Sequence, residues 1–178
     1  GCRCAAEPFM PSTNEHIDIE VADVADSGNA WSSQDFVDHY YNGGGRGVTI
    51  RETGHLSSIV AQYMNASVIK SLQDNIAQKA RGNPNGTFSD DFYNTYDMTG
   101  IVFSIGDTTI GGRFTGICVS EFGILTVSGQ FEFYLNDEFA DPIDLGIELF
   151  GDPYPITDQW SGSFGGQVYA DPDRSRFG

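Results

Sequence analysis

Positive charge is the scarcest commodity in this chain. It has 9 Lys and Arg against 25 Asp and Glu, a formal net charge of −16, and no Lys or Arg between Phe114 and Asp173. A protein that neutralises phosphates needs a basic face, and the few cations, scattered singly from Arg3 to Arg176, do not form one. Nucleic acid is therefore not an expected partner. No apolar run reaches the 18 residues of a membrane-spanning helix. The opening G-C-R-C-A-A-E-P has neither a Met nor the apolar core of a secretory signal, so the chain is expected to be a piece of a longer protein. The 3 cysteines imply no disulfide framework. Cys118 sits in an alternating apolar run and is expected to be a small buried hydrophobe.

Acid and aromatic residues are abundant instead. The run L-N-D-E-F-A-D-P-I-D-L-G-I-E holds Asp137, Glu138, Asp141, Asp144 and Glu148, with Asp152 just beyond, interleaved with Phe131, Phe133, Phe139, Phe150 and Tyr154. Aromatics at this density speak for folded structure rather than a solvated acidic tail. A hard divalent cation would offset the repulsion, since Mg²⁺ and Ca²⁺ take carboxylate oxygens. Asp137, Asp141 and Asp144 are the candidate ligands. A solvated acidic loop at a strand end is the alternative.

The periodicity divides the chain. Residues 1–30 read as a leader or linker with one short strand at His16–Val21. Helices are expected over 31–81. Ser32 or Ser33 caps the first, Asp35 suits its N-terminal dipole, and Phe36, Val37, Tyr40 and Tyr41 form its apolar face. Asn42-Gly43-Gly44-Gly45 ends it. Thr49 and Glu52 have capping-box spacing, predicting a second helix that carries Leu56, Ile59, Val60, Tyr63 and Met64 and runs on through Ile76. Arg81-Gly82-Asn83-Pro84-Asn85-Gly86 stops it. Over 87–178 the period becomes two. The clearest strand is 124–135, with Leu125, Val127, Gly129, Phe131, Phe133 and Leu135 on one face and Thr126, Ser128, Gln130, Glu132 and Tyr134 on the other. Turns are expected at Gly106-Asp107, Gly111-Gly112 and Glu121-Phe122-Gly123. The result is an α+β domain over 31–178, its N-terminal helices packed on a C-terminal antiparallel β-sheet or half-open barrel.

Three segments carry a resemblance. D-F-V-D-H-Y-Y-N-G-G-G-R-G-V-T-I-R-E-T-G-H-L (35–56) and D-F-Y-N-T-Y-D-M (91–98) resemble C-terminal toxin domains of bacterial polymorphic toxins of the Rhs and type VI secretion kind. The strand 124–135 leading into N-D-E-F-A-D-P-I-D, then G-D-P-Y-P-I-T-D-Q-W (151–160), resembles the catalytic half of colicin M. That resemblance implies a secreted antibacterial effector acting in the periplasm of target bacteria. Its activity would be Mg²⁺-dependent hydrolysis of lipid II, the lipid-linked peptidoglycan precursor. Its partners would be a cognate immunity protein and the membrane surface. On this reading Asp137, Asp141 and His39 are catalytic, and Tyr96, Phe139 and Tyr154 bind substrate. The family's Asp-x-Tyr-Asp is here Asp137-Glu138-Phe139-Ala140-Asp141, and no His-Arg pair follows. A non-catalytic β-rich envelope- or carbohydrate-binding module, or one that perturbs membranes, is the reading from a different class.

Overall fold

A computed structural model describes residues 15–97, 107–140 and 151–175. Its elements run β1 (His16–Ala22), α1 (Ser33–Asn42), β2 (Val48–Thr49), α2 (Leu56–Tyr63), α3 (Ala66–Arg81), β3 (Thr87–Asp97), β4 (Asp107–Glu121), β5 (Ile124–Phe139), β6 (Tyr154–Tyr169) and the four-residue α4 (Pro172–Ser175). The strands form one mixed-order sheet, β1-β6-β5-β4-β3, antiparallel throughout except that the short β2 lies parallel along β6. The fold is thus a mixture of helix and strand in which strands dominate.

The period-two pattern translates directly into burial. On β5, Leu125, Val127, Phe131, Phe133, Leu135 and Phe139 are buried while Thr126, Ser128, Gln130, Glu132 and Tyr134 face water. On β4, Phe114 and Cys118 are buried, whereas Ile117 and Val119 are exposed. Burial also raises the Cys118 thiol pKa, opposed by a hydrogen bond involving Asn85, which keeps the sulfur in its unreactive form. The β4–β5 hairpin turns on Phe122 (φ 54°) and Gly123 (φ 77°), two successive left-handed residues whose twist matches that of paired strands.

Helix α1 begins as its sequence demands. Ser32 Oγ accepts from Asp35 N–H (3.2 Å) and Asp35 Oδ2 accepts from Ser32 N–H (2.7 Å). The Thr49–Glu52 box also forms, Glu52 Oε1 accepting from Thr49 N–H at 2.7 Å and Thr49 Oγ1 from Glu52 N–H at 3.2 Å. It closes a turn rather than a helix, because Gly54 at φ 76° breaks the chain's right-handed path and α2 starts only at Leu56. The expected long helix is also divided: Asn65 caps a fresh start at α3 by accepting from Val68 N–H. Gly111 and Gly112, expected as a turn, lie inside β4. A Cβ on Gly112 would meet the Phe92 ring and the Glu132 carbonyl, so glycine here permits close strand packing. The strand expected at His16–Val21 is present as β1, but it is no part of a detached leader: its seven residues pair with β6 and join the sheet.

Tyr63 of α2 meets Phe133 and Trp160 edge-on at 6.4 Å each, and Phe36 of α1 stacks on Phe139 at 6.1 Å. Burial raises the Tyr63 pKa to about 12. Helix α3 reaches both sheet edges: Gln73 Nε2 donates to Ile17 O on β1 (2.8 Å), and Lys79 lies 4.0 Å from Asp90 on β3.

Candidate functional site

The residues singled out from sequence separate into three groups. His39, Phe139 and Tyr154 come together in one aromatic cluster with Trp31, Phe36 and Tyr40. The His39 ring stands edge-on to Tyr154 at 4.4 Å, and Phe139 stacks on Tyr154 at 5.2 Å. Tyr154 and Phe139 are core residues rather than a surface platform, at 0% and 2% exposure, and the Tyr154 hydroxyl donates to Phe36 O at 2.8 Å. Their positions on the helix-covered side of paired strands, Phe139 opposite Tyr154, dictate this. Burial drives the Tyr154 pKa far upward, so it stays a phenol. His39 is half-buried, and its Nε2 lies 2.7 Å from Arg46 O. A carbonyl only accepts, so Nε2 carries the proton. Gly151 completes this corner: a Cβ there would run into the Tyr40 ring, while Asp152 N–H donates to Tyr40 O.

Asp137 forms the second group. It occupies an inward-facing position of β5, half-buried, with Oδ1 accepting from Glu138 N–H at 2.7 Å. Oδ2 is buried with no hydrogen-bond partner among the described residues. Burial raises its pKa, and the neighbouring Glu138 charge adds to this. The hydrogen bond from Glu138 N–H and the nearby Thr108 hydroxyl pull the other way, although that hydroxyl donates its proton to Asn136 O at 3.0 Å. The third group, Asp141, Asp144 and the Tyr96 side chain, lies outside the described residues. Among the described residues no three His, Cys, Asp or Glu are placed to hold a metal ion. Asp137 is thus the one expected metal ligand whose surroundings are visible.

The sign of the Asp137 shift yields a prediction. A carboxyl whose folded pKa is raised destabilises the fold when ionised. The wild type is therefore relatively favoured below the unfolded carboxyl pKa of about 3.9, and loses that advantage as pH rises through the folded value. Asp137→Asn is expected to melt higher than wild type at pH 7. The gain should vanish near pH 3. Thermal melts across pH 3–8 measure it, and a variant equal to or below wild type at pH 7 would show that ionised Asp137 is held by a favourable partner.

Sequence reasoning missed a different site, at the junction where β1 and β2 meet β6. β1 covers the β6 edge as far as Ser161 (opposite Ala22), and β2 resumes at Thr157 (opposite Thr49), leaving the edge between them uncovered. Arg51 fills that gap. Its Nη2 donates to Gln159 O (2.7 Å) and Asp23 O (3.0 Å), its Nη1 to Asp23 Oδ1 (3.2 Å), and its Nε to Asp158 Oδ1 (3.1 Å). Its backbone N–H donates to Asp158 Oδ2 (2.8 Å), and Gln159 N–H donates to Asp158 Oδ1 (2.7 Å). The Asp158 side chain is only 3% exposed, so this ion pair is largely removed from water.

Over this clamp lies an open groove of about 550 Å³. The antiparallel register puts Tyr134 beside Gln159 and Asn136 beside Thr157, and the β2 pairing adds Thr49 to the second row. Tyr134 is 43% exposed. Carboxamides, hydroxyls, one exposed aromatic ring and the Asp23 carboxylate therefore converge on one concavity of ligand-binding size. The alternation of β5 already placed Tyr134 on the solvent side. Its neighbours Gln159, Thr157 and Thr49 come from segments up to 110 residues apart, which only strand pairing brings together. No family model, no curated protein and no solved structure matches this chain. The class is that of a strand-dominated α and β domain with a polar groove on the open face of its sheet.

Proposed function

We propose that this chain is a binding domain that recognises carbohydrate, without catalysing its conversion, through the groove over Arg51. The observation that carries this reading is the pairing of Tyr134 with Gln159 and of Asn136 with Thr157 and Thr49 on a floor locked by the Arg51–Asp158 ion pair. Planar carboxamides and hydroxyls can donate and accept at once, as sugar hydroxyls require. An aromatic ring offers an apolar face to the C–H side of a sugar, and the rigid floor keeps these groups in place without ligand. The bacterial envelope, with its glycan layer, is the setting that the toxin resemblance gives to such a domain. Helix α3 bridging both edges of the sheet supports the half-open barrel architecture, with the helices as its filling.

The test is calorimetric titration with chitobiose, an uncharged disaccharide. Wild type is expected to bind saturably. Tyr134→Ala and Gln159→Ala are each expected to weaken binding about tenfold, equivalent to roughly 1.4 kcal/mol, with unchanged melting temperatures, since both side chains point to solvent. Undiminished binding in both variants would overturn the assignment of the groove.

A second reading rests on Asp137, whose Oδ2 is buried with no partner among the described residues, as suits a carboxyl with work to do. In it the chain is an antibacterial effector of the periplasm, held in check by an immunity protein, that hydrolyses lipid II with Mg²⁺ or Ca²⁺ held by Asp137, Asp141 and Asp144. Incubation with lipid II and each ion, or with EDTA, tests it. Released undecaprenol that disappears in Asp137→Ala would favour this reading over the first.

A further inference from the structure

We infer that the ligand is an extended, uncharged glycan chain that crosses the open face of the sheet, rather than a single sugar or disaccharide. The inference rests on the carbohydrate reading above and concerns how far the site extends. A second open groove, of about 930 Å³, lies farther along the same strands. Its lining is mixed: Ser89, Thr115, Gln130 and Ser163 give it a polar row, Lys79 and Asn83 stand at its α3 end, and the exposed Ile117 beside Ser128 adds an apolar surface at the end away from the first groove. The register sets Ser89, Thr115, Gln130 and Ser163 side by side on four successive strands, and Glu20 of β1 continues the row opposite Ser163.

Gln130 and Tyr134 alternate to the same solvent-facing side of β5, as do Glu132 and Asn136. The two grooves therefore share one face. From Gln130 to Asn136 is six residues, or about 20 Å along the strand, which is longer than a disaccharide. Between the grooves lies the row Asp91, Arg113, Glu132 and Ser161. It bears no large apolar side chain that would interrupt a polar chain, and Arg113 is engaged with Asp91 at 3.0 Å. Glu132, Glu20 and Asp18 leave the face with excess negative charge, because its two nearby cations, Arg113 and Lys79, already face Asp91 and Asp90. Anionic polysaccharides would be repelled, and repulsion of this kind is a device for specificity.

The experiment is a titration series with chito-oligosaccharides of two to six rings, and oligogalacturonate of matched length as the anionic control. Wild type is expected to bind the hexamer about tenfold more tightly than the dimer, and the anionic hexamer more weakly still. The double variant Thr115→Ala/Gln130→Ala, at two exposed positions, should abolish the gain with length while leaving dimer affinity unchanged. Tyr134→Ala should weaken dimer and hexamer alike. Equal affinity at every length, or a hexamer gain unaffected by the double variant, would overturn the extended track while leaving the groove over Arg51 intact. Absence of binding at any length would overturn the carbohydrate reading itself. Tighter binding of the anionic series would overturn the assignment to an uncharged chain. Melting temperatures equal to wild type establish that the double variant is folded.

Discussion

Arg51→Met is expected to destabilise the domain by about 3–5 kcal/mol, the range for removing one partner of a buried ion pair. The cost comes mainly from what is left behind. Asp158 faces the protein interior between Ile156 and Trp160, with a side chain 3% exposed, and would lose the guanidinium that compensates its charge. Gln159 O and Asp23 O would lose their donor at the same time, reopening the uncovered stretch of the β6 edge. Arg51 itself is 23% exposed, so water can replace part of the loss and the lower half of the range is the better expectation. Chemical denaturation measures the change. The double variant Arg51→Met/Asp158→Leu separates the two contributions: it should recover much of the stability, because an apolar pair needs no compensating charge. If Arg51→Met alone is as stable as wild type, Asp158 is hydrated and the clamp contributes nothing. Where the clamp does contribute, the proposed carbohydrate binding should fall in Arg51→Met as well, since the groove's floor is then free to move.

Phe133→Ala is the second large effect, with an expected cost of about 3–5 kcal/mol for truncating a buried aromatic ring. Phe133 is 1% exposed and sits at the centre of an aromatic array. It stacks on Trp160 at 5.2 Å with planes 6° apart, stacks on Phe131 at 5.2 Å, and meets Phe92 and Tyr63 edge-on. One ring therefore ties β3, β5, β6 and α2 together, and a cavity there removes contacts from all four. Phe133→Leu, which retains most of the apolar volume, should recover about half of the loss. Equilibrium unfolding of both variants measures this. Near-equal stability of Phe133→Ala and wild type would mean that the surrounding rings collapse into the space, and Trp160 fluorescence would then shift. The Trp160 indole N–H is buried without a partner among the described residues, so its environment is a sensitive reporter of repacking at this point.

Much of the fold was legible because local rules and burial agreed. The alternation along 125–135 separated the buried Leu125, Val127, Phe131, Phe133 and Leu135 from the exposed Thr126, Ser128, Gln130, Glu132 and Tyr134, and missed only the buried Ile124 at the start of β5. The polar α1 start at Ser32, the Gly-Pro stop after Arg81 and the buried Cys118 follow from residue chemistry within a few positions. The Thr49–Glu52 box shows where local reading ends. Its hydrogen bonds are present, yet they close a turn, since the φ of Gly54 and the pairing of Val48 and Thr49 with β6 outweigh a helical start. Gly111-Gly112 reads as a turn only when its neighbours are unknown. Inside the sheet, the same glycines make room for Phe92 and Tyr134.

The candidate site was less legible, for a physical reason of another kind. Composition by itself determined the net charge of −16, and periodicity determined which residues of each strand share a side. Whether a ring is core or platform depends on what covers that side: Phe139 and Tyr154 looked available beside the acidic run, but α1 lays Phe36 and His39 over them. Likewise nothing in the neighbourhood of Arg51, Asp158 or Tyr134 marks them in one dimension. The clamp exists because β1 and β2 both end before they meet along β6, at Ala22 opposite Ser161 and at Thr49 opposite Thr157, which exposes two carbonyls and two carboxylates to one guanidinium. Strand register is a long-range property, set by the pairing of residues more than a hundred positions apart, so only the tertiary structure could decide that these side chains meet.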